Sequence, residues 1–243
     1  MKKLSLFSVI VIVFALQIGC AYNPGPDYTP GKTIPPKAGS TFIFKSVQTD
    51  TLGVPIDSTI YYYKDSVAET GTLYQGKTNV THFISIDTLH GFTSDSYINY
   101  ETNGDISTYV GGFGGFGGVT LPPWRTYPVQ SHTTTGAKIA DTSLTLPGIP
   151  LPVHFVGYDT MTFIGNGTYP VSGKIIPVFN AKEVLTITAS ALIISMNVNT
   201  VTHIEFAPSL GYIVSQITDP TKIPAFIPSQ GGSRNTLTAY ILK

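Results

Sequence analysis

The side chains that could carry catalysis in this sequence form no known catalytic motif. Its five histidines are His82, His90, His132, His154 and His203. None lies in an H-E-x-x-H motif or another tight metal-ligand spacing, and the nucleophile motifs G-x-S-x-G and S-x-x-K do not occur. Glu183 and Glu205 fall in strand patterns, where we expect them to face solvent rather than to form a glycosidase carboxylate pair. The sequence therefore predicts a protein that is not an enzyme and uses no metal or cofactor.

A glycine-rich stretch, residues 111–118, reads GGFGGFGG. A phosphate-binding loop needs a closing Lys and Ser/Thr and a helix after it, whereas residues 119–123 read VTLPP. The simplest interpretation is a flexible loop. The alternative is that Phe113 and Phe116, with Trp124, form an exposed aromatic surface that contacts a partner, a glycan or a lipid.

An Asp followed by Ser or Thr and then a third residue recurs along the chain. Five of the hydroxyl residues in these places are Thr51, Ser58, Ser66, Thr88 and Thr160. The pattern resembles the acceptor motif for O-glycosylation of exported Bacteroidota proteins, which implies that one or more of these hydroxyls is modified. Asp and Ser/Thr are also favoured in turns, because their side chains bond nearby backbone groups.

The single cysteine, Cys20, follows a short basic segment and an apolar run. Lys2 and Lys3 precede residues 4–18, which are mostly apolar. At about 15 residues this run matches a signal peptide and falls short of the roughly 20 that span a bilayer. The pair Gly19-Cys20 resembles the end of the lipobox of bacterial lipoproteins, although Gln17 stands where that family usually has leucine.

The lipobox resemblance implies that Cys20 is diacylated with chains such as palmitate and that the chain is cut before it. Two acyl chains anchor a protein stably, whereas one binds only marginally. Since no acidic run follows Cys20, we expect a location in the bacterial envelope, on the outer membrane and facing the periplasm. The alternatives are ordinary cleavage near Ala21, which gives a secreted protein, and a retained membrane helix.

Composition limits the remaining functions. Basic and acidic residues number 14 each, so the chain has no electrostatic basis for binding nucleic acid. Hydrophobic residues make up 42% and charged residues 12%, which is enough apolar surface for a packed core. We divide the chain into a signal peptide (residues 1–19), a lipidated Pro/Gly-rich tether (20–39) and a single β-domain (40–243).

From residue 40 onward the sequence predicts an all-β fold. Aromatic and β-branched residues alternate in short runs, and Asn103-Gly104 and Asn166-Gly167 are hairpin signals. We expect strands near 70–75, 153–164, 182–196, 201–206, 211–217 and 235–242. Residues 181–196 also suit a helix, but their β-branched residues favour a strand. The prediction is an antiparallel meander that forms a curled sheet, half-barrel or barrel after an N-terminal signal helix, with a sandwich also open.

Two segments in the second half resemble a pattern of bacterial envelope proteins. Residues 175–184 read IIPVFNAKEV, and residues 206–214 read FAPSLGYIV; Trp124 and the closing strand 237–242 stand in corresponding places. This is similar to proteins with an extended antiparallel half-barrel, related to the periplasmic lipoprotein-carrier (Lol-type) fold. The resemblance implies a concave, apolar sheet face that holds a lipid or another apolar group.

Three functions follow from these observations. The first is a membrane-anchored, non-catalytic binding or scaffold domain whose partner is a lipid or an envelope protein. The second is a periplasmic carrier of a lipid or other apolar ligand. The third is an enzyme whose hydrolase site is dispersed across strands, and perturbed pKa values in a cleft would be its sign.

Overall fold

The protein folds as one antiparallel sheet, as the alternation of its residues predicted. The computed structural model describes residues 31–89, 91–109, 124–145, 152–191, 194–221 and 229–243. The first six strands are β1 (Thr41–Gln48), β2 (Tyr61–Tyr74), β3 (Lys77–Asp87), β4 (Thr93–Tyr100), β5 (Ile106–Tyr109) and β6 (Trp124–Tyr127). The others are β7 (Thr134–Leu144), β8 (Val153–Val171), β9 (Lys174–Ala191), β10 (Ile194–Ala207), β11 (Tyr212–Thr218) and β12 (Ser233–Ile241). A short 3-10 helix covers Asp57–Thr59.

The strand order shows that the sheet is two meanders joined at the middle. It runs β6-β5-β4-β3-β2-β1-β12-β11-β10-β9-β8-β7. The chain starts at the centre with β1, proceeds outward to β6, resumes at the opposite edge with β7 and returns to β12. β12 then pairs antiparallel with β1, placing Thr41 opposite Ile241. The predicted meander is confirmed, with this single long-range pairing added at its centre.

Tight turns join the longest strands. Gln75 and Gly76 have φ values of 45° and 82° between β2 and β3, and Ser172 and Gly173 have 50° and 72° between β8 and β9. Positive φ at both turn residues is the type I′ geometry that suits two-residue hairpins. The Asn103-Gly104 signal is also confirmed, since Tyr100 pairs with Ile106 around it.

Three local predictions were wrong. Asn166-Gly167 lies inside β8, not at a turn; the irregularity nearby is a register shift between Phe163 and Gly165. Residues 182–196, predicted as one strand, belong to two, because β9 ends at Ala191 and β10 begins at Ile194. The stretch after residue 69, expected as a separate strand, continues β2 through register shifts. In each case strand pairing overrode a local signal.

One face of the sheet is concave and carries the core. On β1 to β3, the alternate residues Phe42, Phe44 and Phe83 point to it and are buried. Contacts between strands that are not neighbours bend the sheet around this face: the Tyr100 hydroxyl on β4 donates to the carbonyl of Gly211 at 2.6 Å. The sheet is therefore curled and open, with β6 and β7 as its two edges.

Residues 31–39 of the predicted tether lie against the domain. The Thr33 hydroxyl donates to the carbonyl of Gly104, and the Ile34 N–H donates to the carbonyl of Pro208. Thr33 and Pro36 are buried. The predicted signal helix and Cys20 lie outside the described residues. Within the described ranges, no helix has the length and apolar character needed to cross a membrane.

Candidate functional site

The concave face contains a cleft of about 140 Å³. Strand alternation and register bring its walls together from both halves of the sheet: Tyr63 lies opposite Phe44 on β1, and Gln216 lies opposite Asn235 on β12. The lining residues include Phe44, Tyr63, Asp65, Ser96, Ile98, Thr108, Tyr212, Gln216 and Asn235. The cleft thus has an aromatic wall, several neutral polar groups and one carboxyl group.

Asp65 is the charged group of this cleft and is only 5% exposed. The Tyr212 hydroxyl donates to its Oδ2 at 2.8 Å. Its Oδ1 is buried and meets no donor with hydrogen-bonding geometry. Burial raises the pKa of Asp65; Ser85, opposite it in register, and Tyr212 oppose that shift without cancelling it. A buried acceptor without a partner is costly, so Asp65 is a candidate binding group.

Stacked aromatic rings hold the cleft wall in place. The rings of Phe44 and Tyr63 stack with centroids 5.0 Å apart and 8° between their planes. Tyr212 stacks on Phe42 and on Phe83, each at 4.6 Å between centroids. Burial raises the pKa of Tyr63 and of Tyr212 above the usual value for tyrosine. Both phenols therefore stay neutral, and Tyr212 remains a hydrogen-bond donor to Asp65.

The cleft continues into a second cavity of about 270 Å³. Tyr63 and Asn235 line both spaces, and Tyr61, Asp87 and Phe92 line the second one. The exposure of Phe92 (74%) places this second cavity at the surface. The two cavities are therefore neighbours on the same face, and the second lies at the surface.

A second polar cluster crosses the concave face between the two edges of the sheet. Arg125 on β6 contacts Asp159 on β8 at 2.7 Å and Glu183 on β9 at 2.5 Å. Glu183 is 6% exposed, so the prediction that it faces solvent was wrong. Burial raises the pKa of Glu183 to about 7; Arg125 opposes the shift, and Asp159 adds to it. This cluster fastens β6 over β8 and β9.

The largest of the three cavities described, about 420 Å³, lies elsewhere. It is bounded by residues 32–35 and by the turns that follow β2 and β4. The charged groups facing it include Lys77 and Glu101, which pair with one another at 2.7 Å. Lys77 and Glu101 thus satisfy one another, and Lys32, which also lines this cavity, is exposed.

Of the predicted aromatic surface, Trp124 is described and Phe113 and Phe116 are not. Trp124 lies on the convex face, where its indole N–H donates to the carbonyl of Gln75 at 3.0 Å. Tyr109 meets it edge to face at 5.3 Å between centroids. Trp124 therefore belongs to an aromatic cluster that also holds Tyr74, His82 and Tyr97. The cluster lies on the face opposite the cleft.

The predicted glycosylation residues are scattered. Thr51 and Ser58 are exposed between β1 and β2, and Thr88 is exposed after β3, where its hydroxyl donates to the carbonyl of Tyr62. Ser66 and Thr160 are half-buried within strands. Modification of these hydroxyls stays a prediction.

Two of the aspartates in the Asp-Ser/Thr pattern have a structural role in turns. Asp50 Oδ1 accepts hydrogen bonds from the N–H groups of Leu52 and Val54, and Asp87 Oδ1 accepts one from Leu89. Such bonds are the reason why Asp is favoured in turns. The turn interpretation therefore applies to the aspartates that precede Thr51 and Thr88.

The histidines do not converge. His82 on β3 stacks on Tyr97 and contacts Asp95 at 2.7 Å, whereas His154 and His203 make exposed contacts with Asp141 and Asp219. His132 stacks on Phe163 in a backbone conformation with φ of 52°; His90 lies outside the described residues. Across the described chain, no group of three or more His, Cys, Asp or Glu side chains is placed to hold a metal ion.

Sequence reasoning missed the residues of both polar clusters. Asp65 did carry a signal, because it continues the inward-facing alternation of Tyr61, Tyr63 and Val67. A carboxylate on an otherwise apolar face is the informative exception to burial rules. Tyr212, its partner, is 147 residues away in sequence, and no local pattern links the two.

Comparison with known proteins adds little to this geometry. No family model matches the chain, and no curated protein matches it. One solved structure, a Bacteroides fragilis protein with a YmcC-like fold that is described as exported, is 12% identical with a TM-score of 0.40. The match covers 86% of this chain and 99% of that one. A likeness of that degree carries no argument about function, and the resemblance to lipoprotein carriers stays a prediction.

Proposed function

We propose that this chain is a lipid-anchored, non-catalytic binding protein of the bacterial envelope, whose ligand occupies the cleft on the concave face. The observation that carries the proposal is the cleft itself. It shares Tyr63 and Asn235 with a second cavity, is walled by the stacked rings of Phe44 and Tyr63, and is lined by Asp65, whose buried Oδ1 has no hydrogen-bond partner of good geometry. An apolar wall with a few converging polar groups is the usual composition of a ligand site.

Binding explains the cleft better than hydrolysis does. A glycosidase needs two carboxyl groups about 5–9.5 Å apart on either side of the scissile bond. Among the described residues that line the cleft, Asp65 is the single carboxyl group, and the carboxyl group of the adjoining cavity is Asp87. The other buried carboxyl pair, Asp159 and Glu183, is bound to Arg125. The raised pKa values of the cleft therefore reflect burial of a binding group.

The anchor and the location rest on residues 1–20. Digestion and mass spectrometry of the N-terminal peptide should show a chain that begins at Cys20 and carries acyl mass. Cys20→Ser should remove that mass and shift the protein from the membrane to the soluble fraction. An unmodified peptide that begins at Ala21, or a Cys20→Ser protein that stays in the membrane, would refute the lipid anchor without affecting the cleft.

Native mass spectrometry of the full chain, extracted from bacterial envelopes in detergent, tests the ligand. We expect an additional small-molecule mass that is lost on denaturation. Ser96→Phe, which places a ring in the cleft, should abolish that mass. Thr168→Phe, at an exposed strand position of β8, is the matched control and should retain it. An additional mass that survives Ser96→Phe would show that the ligand binds elsewhere.

A further inference from the structure

Asp65 differs from the other carboxyl groups that point into the concave face. Asp159 and Glu183 share the Arg125 guanidinium. Asp65 Oδ2 accepts a hydrogen bond from the neutral Tyr212 hydroxyl, and the Ser85 hydroxyl lies close enough to lower the pKa of Asp65, but among the described residues no Lys, Arg or His side chain forms an ion pair with it. A buried charge is stable when it is paired, and leaving one partner out is costly. The Asp65 carboxyl group therefore lacks the cation that would stabilise its ionised form.

The surroundings of Asp65 fit a cation better than a neutral group. The rings of Phe44, Tyr63 and Tyr212 line the same cleft. Aromatic faces attract ammonium groups, and the attraction grows when water is excluded. The cleft volume of about 140 Å³ is close to that of an engineered cavity that holds benzene. It therefore accommodates an ammonium group with a short carbon chain.

We propose that the cleft binds a ligand through a primary ammonium group, with the Asp65 carboxylate accepting an N–H of the ammonium and Tyr63 providing an aromatic face. The choice of a primary ammonium follows from the carboxylate, which accepts hydrogen bonds that a quaternary ammonium could not donate. The inference rests on the proposed function, since it names the chemistry of the same cleft. The rest of the ligand extends past Asn235 into the second cavity.

Ligand-observed NMR titration of the full chain in detergent micelles tests the inference with propylammonium chloride and 1-propanol. An alkylammonium resembles the lysine side chain and stays charged below about pH 10. At pH 8 we expect propylammonium to bind at least about tenfold more tightly than propanol, which corresponds to about 1.4 kcal/mol. Asp65→Asn should remove this preference. Asp57→Asn, at an exposed aspartate, should retain it.

The pH dependence of binding provides an independent readout. The groups that face Asp65 are Phe42 from β1, Tyr63 on its own strand, Ser85 from β3 and Tyr212 from β11. Of these, Asp65 is the carboxyl group, and burial raises its pKa, whereas burial keeps both phenols protonated. Binding of the cation should therefore strengthen from pH 5 to pH 8, while propanol binding should not change.

The outcomes separate this inference from the proposed function. If propanol binds as tightly as propylammonium and Ser96→Phe blocks both, the cleft is a binding site but the ammonium assignment is wrong. A preference for propylammonium that persists in Asp65→Asn also refutes the assignment. If neither probe binds the wild-type chain more tightly than the Ser96→Phe chain, both proposals fail. The comparison of two probes on the wild-type chain does not depend on how well any variant folds.

Discussion

Arg125→Met should lower the free energy of unfolding by about 3–5 kcal/mol near pH 8, because it leaves two buried carboxylates without a cation. The side chains of Asp159 and Glu183 are 9% and 8% exposed. At about 4 Å and an effective dielectric constant of about 20, each charge pair contributes roughly 4 kcal/mol. Desolvation offsets much of that attraction in the intact cluster. The variant keeps the desolvation cost and loses the attraction.

Trp124 provides the assay, because it is the single tryptophan of the chain and precedes Arg125 on β6. Urea denaturation followed by its fluorescence reports the release of β6 from β8 and β9. The loss in Arg125→Met should be smaller at pH 5 than at pH 8, since protonation neutralises Glu183. The conservative double variant Arg125→Met with Glu183→Gln should recover part of the loss.

Lys77→Met is the matched control, since it also removes a cation from an ion pair. Lys77 contacts Glu101 at 2.7 Å, but their side chains are 34% and 25% exposed. Partly exposed pairs contribute about 0–1 kcal/mol. The reasoning is refuted if Arg125→Met costs no more than Lys77→Met, or if its cost is the same at pH 5 and pH 8.

Three further predictions concern pH and packing. Glu183→Gln should flatten the pH dependence of the free energy of unfolding. Because the pKa of Glu183 is raised from 4.5 to about 7, its stabilising contribution is complete below pH 4.5 and is lost as the pH rises through about 7. Urea midpoints at pH 5 and pH 8 that differ equally in wild type and variant would contradict this. Asp65→Asn should stabilise the ligand-free chain at pH 8 but not at pH 4, because its raised pKa makes the ionised form unfavourable; a lower thermal midpoint at pH 8 would show that the charge is compensated. Gly211→Ala should destabilise more than Gly173→Ala, since both have positive φ but only the first would place its Cβ 2.2 Å from the carbonyl oxygen of Ile34. The αL strain common to both is about 1–2 kcal/mol, so equal thermal shifts would show that Ile34 moves away without cost.

Local patterns predicted the strands where pairing agreed with them. Aromatic and β-branched residues alternate along β1, and burial alternates with them over residues 41–46. The β-branched residues after Ala181 favoured a strand over a helix, and both β9 and β10 are strands. Asn103-Gly104 predicted its hairpin because positive φ at Gly104 (90°) is compatible with that dipeptide. Asn166-Gly167 failed as a signal because the 19-residue strand β8 pairs through it with β9.

The sequence by itself determined the all-β class, the anchor prediction at Cys20 and the absence of a known catalytic motif. Only the tertiary structure decided which polar residues are buried together, because the partners are far apart in sequence: Asp65 meets Tyr212, and Arg125 meets Glu183. Alternation with a period of two residues predicts which residues share a face of a strand. It does not predict which strands become neighbours or how far the sheet curls. The pairing of β12 with β1 and the curl of the sheet bring these groups together on the concave face, where they are buried. Asp65 then lines the cleft, and Glu183 joins the Arg125 cluster.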